Sequence, residues 1–437
     1  MLLGFCEALE RAGIAYVILS GYQTYPKQIP SDVDFMVSER DFARLPALFS
    51  KSEVVPGARL VQMLHHETSA CYFVLAQQIG AHIAFLHPDA SASYRRGGRL
   101  WLRSDHVLKS RRKSAQGFWI PAAEVEFEYY FVKRVDKTVV ESRHLQHLAA
   151  LISEAPDACK HALERLMGAK LAPDILSAIT AVDVDWFGAQ KAALQHRLAQ
   201  SASKEALTER LRGAVADMGR LTHRILYPTG LVVAVLGPDG SGKTTVIEHL
   251  ERELAPAFRR VRRFHLRPRF GSGPSNAAPV TNPHDEAPRG RLASVAKLAL
   301  FLADYWLGWL RLVLPARAKS TLVVFDRYFH DMLVDPRRYR LPVRFSGARW
   351  LAPGVPQPDL WLVLHASPEQ LVARKGEIDL VTATRLSAGY AALAQRLPNA
   401  VLVDTGQTLD HSLADAVSAI RRALENRARG RIEQSAV

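Results

Sequence analysis

The sequence predicts an α/β protein: a parallel sheet with flanking helices towards the C-terminus, preceded by a small α/β domain and a helical segment. Three observations carry that prediction. Past residue 229, apolar runs of strand length alternate with helical stretches, the pattern of a parallel sheet covered on both faces. From about Pro121 to Pro228 the pattern is almost wholly helical, and the first hundred residues mix short helix and strand signals. At 437 residues the chain exceeds what one core usually organises, so the expected domains are 1–115, 116–228 and 229–425, with 426–437 a flexible tail.

In chain order, "GFCEALERAG" predicts a helix closed by Gly13, "AYVILSG" and "SDVDFMV" predict strands, and "ERDFARLPALF" a helix. "CYFVLA" and "HIAFLH" follow as strands, then a basic turn, "SYRRGGR". The middle helices are clearest in "AAEVEFEYYFVKRVDK", "LQHLAALISEA" and "EALTERLRGAVADMGRLTHRIL". "PTG" then punctuates the chain before the strand "LVVAVLG", and later strands are expected in "RRFHL", "TLVVFDRY", "DLWLVLHA" and "AVLVDT". Between them, "GSGPSNAAPVTNPHDEAPRG" is Gly/Pro-rich and unpatterned, as functional or disordered segments of that length are.

Lys plus Arg number 57 against 43 Asp plus Glu, a net charge of +14 that suits an anionic partner such as a nucleotide. Cys6, Cys71 and Cys159 are isolated, which argues against a disulfide framework or a cysteine-ligated zinc site and fits a reducing cytosol. The start, "MLLGFCEALERAG", has early acids and no basic lead-in, so no signal peptide is expected and the predicted location is cytoplasmic. The apolar stretch "LASVAKLALFLADYWLGWLRLVLPA" is interrupted by Lys297, Asp304 and Arg311 at seven-residue intervals. Charges near a bilayer centre cost kilocalories each, so the expectation is a buried helix with a charged seam and no membrane span.

The densest chemistry is "GPDGSGKT". Gly237, Gly242, Lys243 and Thr244 fit the full P-loop pattern, between a strand and a helix, "TTVIEHLEREL". Glycines let successive backbone N–H groups turn towards phosphate oxygens, and the helix start adds its positive end. Lys243 is expected on the β and γ phosphates and Thr244 on Mg²⁺, with Gly237, Asp239, Gly240, Ser241, Gly242, Lys243, Thr244 and Thr245 forming the nucleotide site. The bound molecule is expected to be ATP.

"GPDGSGKTT" resembles the phosphate loop of thymidylate kinases, and "VVFDRY" resembles their Asp-Arg-Tyr motif at a strand end. The resemblance spans roughly residues 230 to 425. It implies Asp326 near Mg²⁺ and the phosphates, and Arg327 gripping the acceptor phosphate. A strand ending in an acid, at the carboxyl edge of a parallel sheet, independently faces the ligand crevice. "VARKGE", with Arg374 and Lys375, looks like the lid of nucleoside-monophosphate kinases, and Arg337, Arg338 and Arg340 of "DPRRYR" offer further cations. Two features depart from the family. "FHLRPRFGSGPSN", with Arg267 and Arg269, replaces an acidic Pro-Gly-Gly stretch, and Ala303-Asp304-Tyr305 stands where the family has Ala-Asp-Arg. Both belong to the family's acceptor pocket, so the donor side looks kept and the acceptor side rebuilt.

The front of the chain, "LSGYQTYPKQIPSDVDFMV", resembles the minimal nucleotidyltransferase pattern, with Ser20 and Gly21 in reversed order and Asp32 and Asp34 on a strand. Residues two apart on a strand point the same way, and such a pair of carboxylates can hold Mg²⁺. "AHIAFLH" supplies no third acid; Asp89 lies just beyond it, and His82 and His87 are poor Mg²⁺ ligands. A binding or regulatory role is therefore expected there. The basic stretch "RRVRRFHLRPR" lacks a recognition motif, so nucleic acid is not the expected partner.

The function expected from these residues is ATP-dependent phosphoryl transfer to a small acceptor, a nucleoside monophosphate first, a nucleoside or sugar otherwise. Lys243, Asp326, Arg327 and Arg374 would be catalytic, and Mg²⁺ would sit at Thr244 and Asp326. The rivals are a nucleotidyltransferase acting through Asp32 and Asp34, and a non-catalytic nucleotide-binding regulator.

Overall fold

The computed structural model describes residues 1–51, 55–67, 69–96, 99–137, 140–201, 203–204, 219, 226–268, 290–342, 347–375 and 379–435. The helix expected at 205–226 lies almost wholly outside the described residues, as does Arg269 with the Gly/Pro-rich stretch as far as residue 289. The chain divides into two units, one of residues 1–75 and 86–220, the other of residues 76–85 and 221–437. The helical segment thus belongs with the N-terminal strands rather than standing apart.

In the first unit, helix α1 (Leu2–Arg11) turns Phe5, Cys6 and Leu9 inward. The strands of this part of the chain are β1 (Tyr16–Ile18), β2 (Val33–Val37), β3 (Ala58–Glu67), β4 (Ala70–Ile79), β5 (His82–Leu86) and β6 (Pro88–Ser91). The main sheet has the order β1-β2-β6-β4-β3. Strand β2 is antiparallel to β1 and parallel to β6, a register that sets Asp34 beside Asp89. Strand β6 was not expected, because Pro88 and the polar Asp89 and Ser91 hide a four-residue strand. Two further strands, β7 (Ser93–Arg96) and β8 (Arg99–Arg103), form a small second sheet with Ser203–Lys204.

From residue 123 five helices follow: α2 (Ala123–Asp136), α3 (Ser142–Glu154), α4 (Pro156–Met167), α5 (Ala172–Thr180) and α6 (Val184–Ser201). Helix α2 is buried along most of its length even though six of its fourteen residues are charged, and the buried set includes Glu126 and Glu128. Val125 and Tyr129 join Val17, Leu19 and Met36 over the sheet. Phe127 and Phe131 pack with Leu145, Leu148, Leu163 and Ile175 in the helical core. The acids among them are satisfied: Glu126 accepts from Tyr22 and lies 2.9 Å from His147 Nε2, and Glu128 accepts from Arg165 at 2.5 Å. Because α2 touches both layers, its remaining stripe is free to line a cavity. All three cysteines are buried thiols.

The second unit has strands β9 (Leu231–Leu236), β10 (Arg260–His265), β11 (Thr321–Asp326), β12 (Leu360–His365) and β13 (Ala400–Asp404). They form a parallel sheet in the order β10-β11-β9-β12-β13. All six residues of β9 are buried, as a central parallel strand requires. Strand β10 sits at the edge, with Arg260, Arg262 and Arg263 exposed along it. The basic stretch is therefore a charged sheet edge, which discourages pairing with another strand. The helices of eight residues or more are α7 (Lys243–Leu254), α8 (Arg291–Gly308), α9 (Pro368–Lys375), α10 (Leu380–Ala394) and α11 (Leu409–Ser435).

Two expectations need correction here. Helix α8 with its continuation, Leu292–Ala318, is the one described helix long and apolar enough to cross a membrane. It was expected to be buried, yet only one side is. Leu298, Phe301, Tyr305, Trp309 and Val313 enter the core over the sheet. Lys297 donates to the Tyr339 carbonyl at 2.6 Å and Asp304 pairs with Arg267 at 2.5 Å, so two charges of the expected seam face the protein, while Arg311 is exposed. The opposite side exposes Leu292, Val295, Leu300, Leu307 and Leu310. The second correction concerns residues 426–437: α11 runs on to Ser435 instead of fraying. Ala428 is buried, and Arg427 reaches the Pro228 carbonyl at 2.8 Å and Asp359 at 3.3 Å.

Candidate active site

The loop after β9 leaves the carboxyl edge of the sheet between β11 and β12, where the strand order reverses and ligands of open parallel sheets bind. Gly237 (φ 151°), Gly240 (φ 82°) and Gly242 (φ 79°) hold backbone shapes that side chains resist. At Gly237 space matters as well, because a Cβ would meet Ser241 Oγ at 2.8 Å and the Leu364 carbonyl at 2.9 Å. Gly242 caps α7, whose first residue is Lys243, and Thr244 and Thr245 follow at the helix start. Lys243 is buried and donates to the Gly237 and Pro238 carbonyls at 3.0 and 2.7 Å. Burial pushes its ammonium down to about 7, with Arg327 adding to the fall and Asp239, Asp331 and Asp326 opposing it.

Beside the loop stands a charge network. Arg327, expected at the acceptor phosphate, is buried and adopts φ 70°, a left-handed backbone uncommon outside glycine. Its guanidinium donates to Asp239 of the loop at 2.5 Å and to Asp331 at 2.7 Å. Arg338 binds the other Asp239 oxygen, so one loop carboxylate holds two guanidinium groups. Burial alone would raise Asp239, but Arg327, Lys243 and Arg338 hold it well below the usual carboxylate range. Asp331 is fully buried and also accepts from Tyr339 at 2.6 Å and from Tyr390. Despite that burial, Arg327 and the two phenols keep its pKa low.

Asp326, at the end of β11, lies in register with Val235 of β9 and His265 of β10. Its carboxylate accepts from Arg263 at 3.0 Å and stands 3.6 Å from His265 Nδ1. Burial raises it, but these two partners hold it well below its ordinary value. Arg374 is not brought to the loop: it donates to the Thr405 carbonyl at 2.7 Å. Of the "DPRRYR" cations, Arg338 is the one shown on the loop carboxylate, while Arg337 is exposed. On the side of the departures, Arg267 pairs with Asp304 and lies 3.9 Å over the Phe301 ring, and Tyr305 donates to the Leu266 carbonyl.

Asp331, Tyr339 and Tyr390 were missed. Only Asp331 left a signal, four residues after Arg327, the spacing of facing side chains on one helical turn. Tyr339 and Tyr390 come from other segments and meet the carboxylate through the fold alone.

In the first unit, Asp32, Asp34 and Asp89 line one cavity with Ser20 and Gly21. A third acid therefore does stand on the neighbouring strand, contrary to the expectation. Lys133 Nζ lies 2.5 Å from Asp34, and Tyr72 donates to Asp32 at 3.3 Å. Among the described residues no three His, Cys, Asp or Glu side chains are grouped to hold a metal ion.

No protein-family model matches the chain. Over 213 residues it is 32% identical to a thymidylate kinase of Xanthomonas campestris pv. campestris (strain B100), covering 47% of this chain and 88% of that relative. The chain belongs to the thymidylate kinase family. A thymidylate kinase of Xanthomonas oryzae pv. oryzae (strain PXO99A) is 30% identical over the same length, covering 47% of this chain and 89% of that one. Among solved structures, thymidylate kinase from Candida albicans shares 18% identity at a TM-score of 0.34, over 45% of this chain and 93% of that one. That from Ehrlichia chaffeensis shares 16% at 0.29, over 41% and 89%. With the phosphate loop and the Asp-Arg-Tyr strand end in place, the protein is a P-loop nucleotide kinase, and its chemistry is nucleotide phosphoryl transfer.

Proposed function

We propose that this kinase moves the γ-phosphoryl group of ATP to a nucleoside monophosphate, with thymidylate the first acceptor to try. The observation that supports it best is the Asp239–Arg327–Asp331 chain, which ties the donor loop to an arginine at the strand edge through bonds of 2.5 and 2.7 Å. Positioning of that kind is the main work of a phosphoryl-transfer enzyme, since the transferring group needs alignment and charge stabilisation more than covalent help. Lys243 and the loop amides would hold the donor phosphates, and Arg327 with Arg338 would meet the acceptor phosphate.

The loop fits a polyphosphate: Gly237 leaves the room a Cβ would fill, and buried Ser241 Oγ has no hydrogen-bond partner among the described residues. The thin protein donor set suits Mg²⁺, which keeps waters and leans on substrate phosphates. Thr244 and Asp326 would hold the ion, and it would neutralise developing phosphate charge. Tyr305 in place of an arginine, and Arg267 tied to Asp304, support an acceptor pocket with its own preference. We further infer a cytoplasmic protein in which Leu292–Ala318 packs on the kinase sheet instead of spanning a bilayer, because a span would strand Lys297 and Asp304.

The test is a transfer assay with labelled ATP and magnesium against thymidylate, the other nucleoside monophosphates, nucleosides and sugars. Transfer to a monophosphate, lost in Arg327→Ala, supports the proposal. Transfer to sugars or nucleosides alone would refute it.

A further inference from the structure

Helix α8 and its continuation turn one apolar face to solvent. Leu292, Val295, Leu300, Leu307, Leu310 and Leu314 are exposed, from 37% at Leu314 to 88% at Leu292. With Ala296, Ala299 and Ala303, exposed between them, they keep the three- and four-residue spacing of one helix side. The stripe runs for about 35 Å along the helix. Apolar surface of that extent on a soluble unit marks contact with another molecule.

The surroundings of the stripe say which kind. Residues 255–268 and 347–358 flank the helix: Tyr305 donates to the Leu266 carbonyl, and Trp306 Nε1 to the Gly354 carbonyl at 3.0 Å. Together with residues 291–319 these stretches hold one acid, Asp304, which is already paired with Arg267. Arg311, Lys319 and Arg349 are exposed there, and so are Arg260 and Arg262 on β10. Arg262 stands opposite Val323, and Phe264 opposite Phe325, in the core beneath α8. Alternation along the strand therefore turns Arg260 and Arg262 to the sheet face that the helix covers. Trp350, on the short helix Gly347–Leu351 packed against α8, is 82% exposed. A second copy fits this surface badly, since a two-fold pairing sets its cations against themselves with no unpaired acid in these stretches to meet them.

We propose that this face of the kinase unit docks on an anionic lipid surface, with α8 lying in the plane of the headgroups. The leucines enter the acyl boundary, Trp306 and Trp350 sit at headgroup level, and the cations around the stripe meet lipid phosphates. Lys297 and Asp304 stay on the protein side, so docking leaves their contacts intact. The proposal rests on the helix packing on the sheet and is independent of the kinase reaction.

Co-sedimentation of the full-length protein with phosphatidylcholine vesicles, with and without phosphatidylglycerol, tests it. Binding is expected to favour the anionic vesicles, to shift tryptophan fluorescence to the blue, and to be released by high salt. Leu300→Glu combined with Leu307→Glu should lower binding about tenfold or more. Lys319→Glu combined with Arg349→Glu should weaken it about tenfold through charge alone. All four positions are exposed, and circular dichroism should show both variants folded. Failure to bind the anionic vesicles overturns the proposal; a dimer in ultracentrifugation that the leucine variant dissolves would then give the stripe to a second copy. Binding that resists high salt and alkaline carbonate overturns it in favour of a span. Binding indifferent to both pairs of substitutions also overturns it, by placing the contact elsewhere.

Discussion

Two charged sites, one in each unit, are built in opposite ways. Around the phosphate loop the ions are buried and mutually satisfied: Arg327 and Asp331 are 4% and 0% exposed, and two tyrosines complete the carboxylate. In the first unit the corresponding pair, Lys133 and Asp34, is 12% and 28% exposed and opens onto a cavity. Buried pairs cost much to break, because removal of one partner strands the other in a medium that cannot solvate it. Half-open pairs exchange partners with water cheaply. One network is thus fitted to hold a fixed geometry, the other to rearrange around what enters.

The strongest blow to the first network is Lys243→Ala. It should lower kcat by about 10³-fold, as loss of a main charge stabiliser does, while circular dichroism shows the fold intact. Wild-type rates would remove the loop from the chemistry. Next comes Asp331→Ala, which leaves Arg327 half-paired in the core and should destabilise the protein by about 3 kcal/mol in denaturant unfolding. The matching change in the first unit, Asp34→Ala, should cost about 1 kcal/mol or less by the same measurement. Equal losses would erase the contrast between the two sites. Gly237→Ala forces a Cβ against the Leu364 carbonyl and should cost about 2 kcal/mol, with weaker ATP binding by titration.

The smallest effect is a proton count. With Lys243 near 7 in the free loop, part of the population is neutral at pH 8, whereas bound phosphate favours the ammonium. ATP binding should then take up a fraction of a proton at pH 8 and almost none at pH 6. Calorimetry in buffers of different ionisation enthalpy reads this directly. The same depression has a stability consequence in the nucleotide-free protein. The folded lysine binds its proton less well than the unfolded one, so its contribution improves as pH rises from about 7 towards 10.5. Lys243→Ala should flatten both dependences.

Four of the five strands of the kinase sheet were legible because each is a short apolar run bounded by helical spacing, whereas β10 is mostly basic. The phosphate loop was legible because its function needs adjacent residues: glycines for the turn, a lysine and a hydroxyl at the helix start. Strand β6 escaped because it is short, begins with proline and carries a polar pair, so no periodicity announced it. Side-chain partners escaped for another reason. Arg374 matched a lid pattern, but its turn of helix settles on the Thr405 carbonyl.

The sequence by itself determined where the phosphate cradle is, which strand ends beside it, and that Asp326 and Arg327 stand on that end. These are properties of contiguous residues, set by local backbone geometry. Only the tertiary structure decided that Asp331, Tyr339 and Tyr390 lock Arg327 and that Asp89 lies beside Asp34. Those groups converge from separate segments, and their meeting is fixed by strand register and core packing, which no short window of residues encodes.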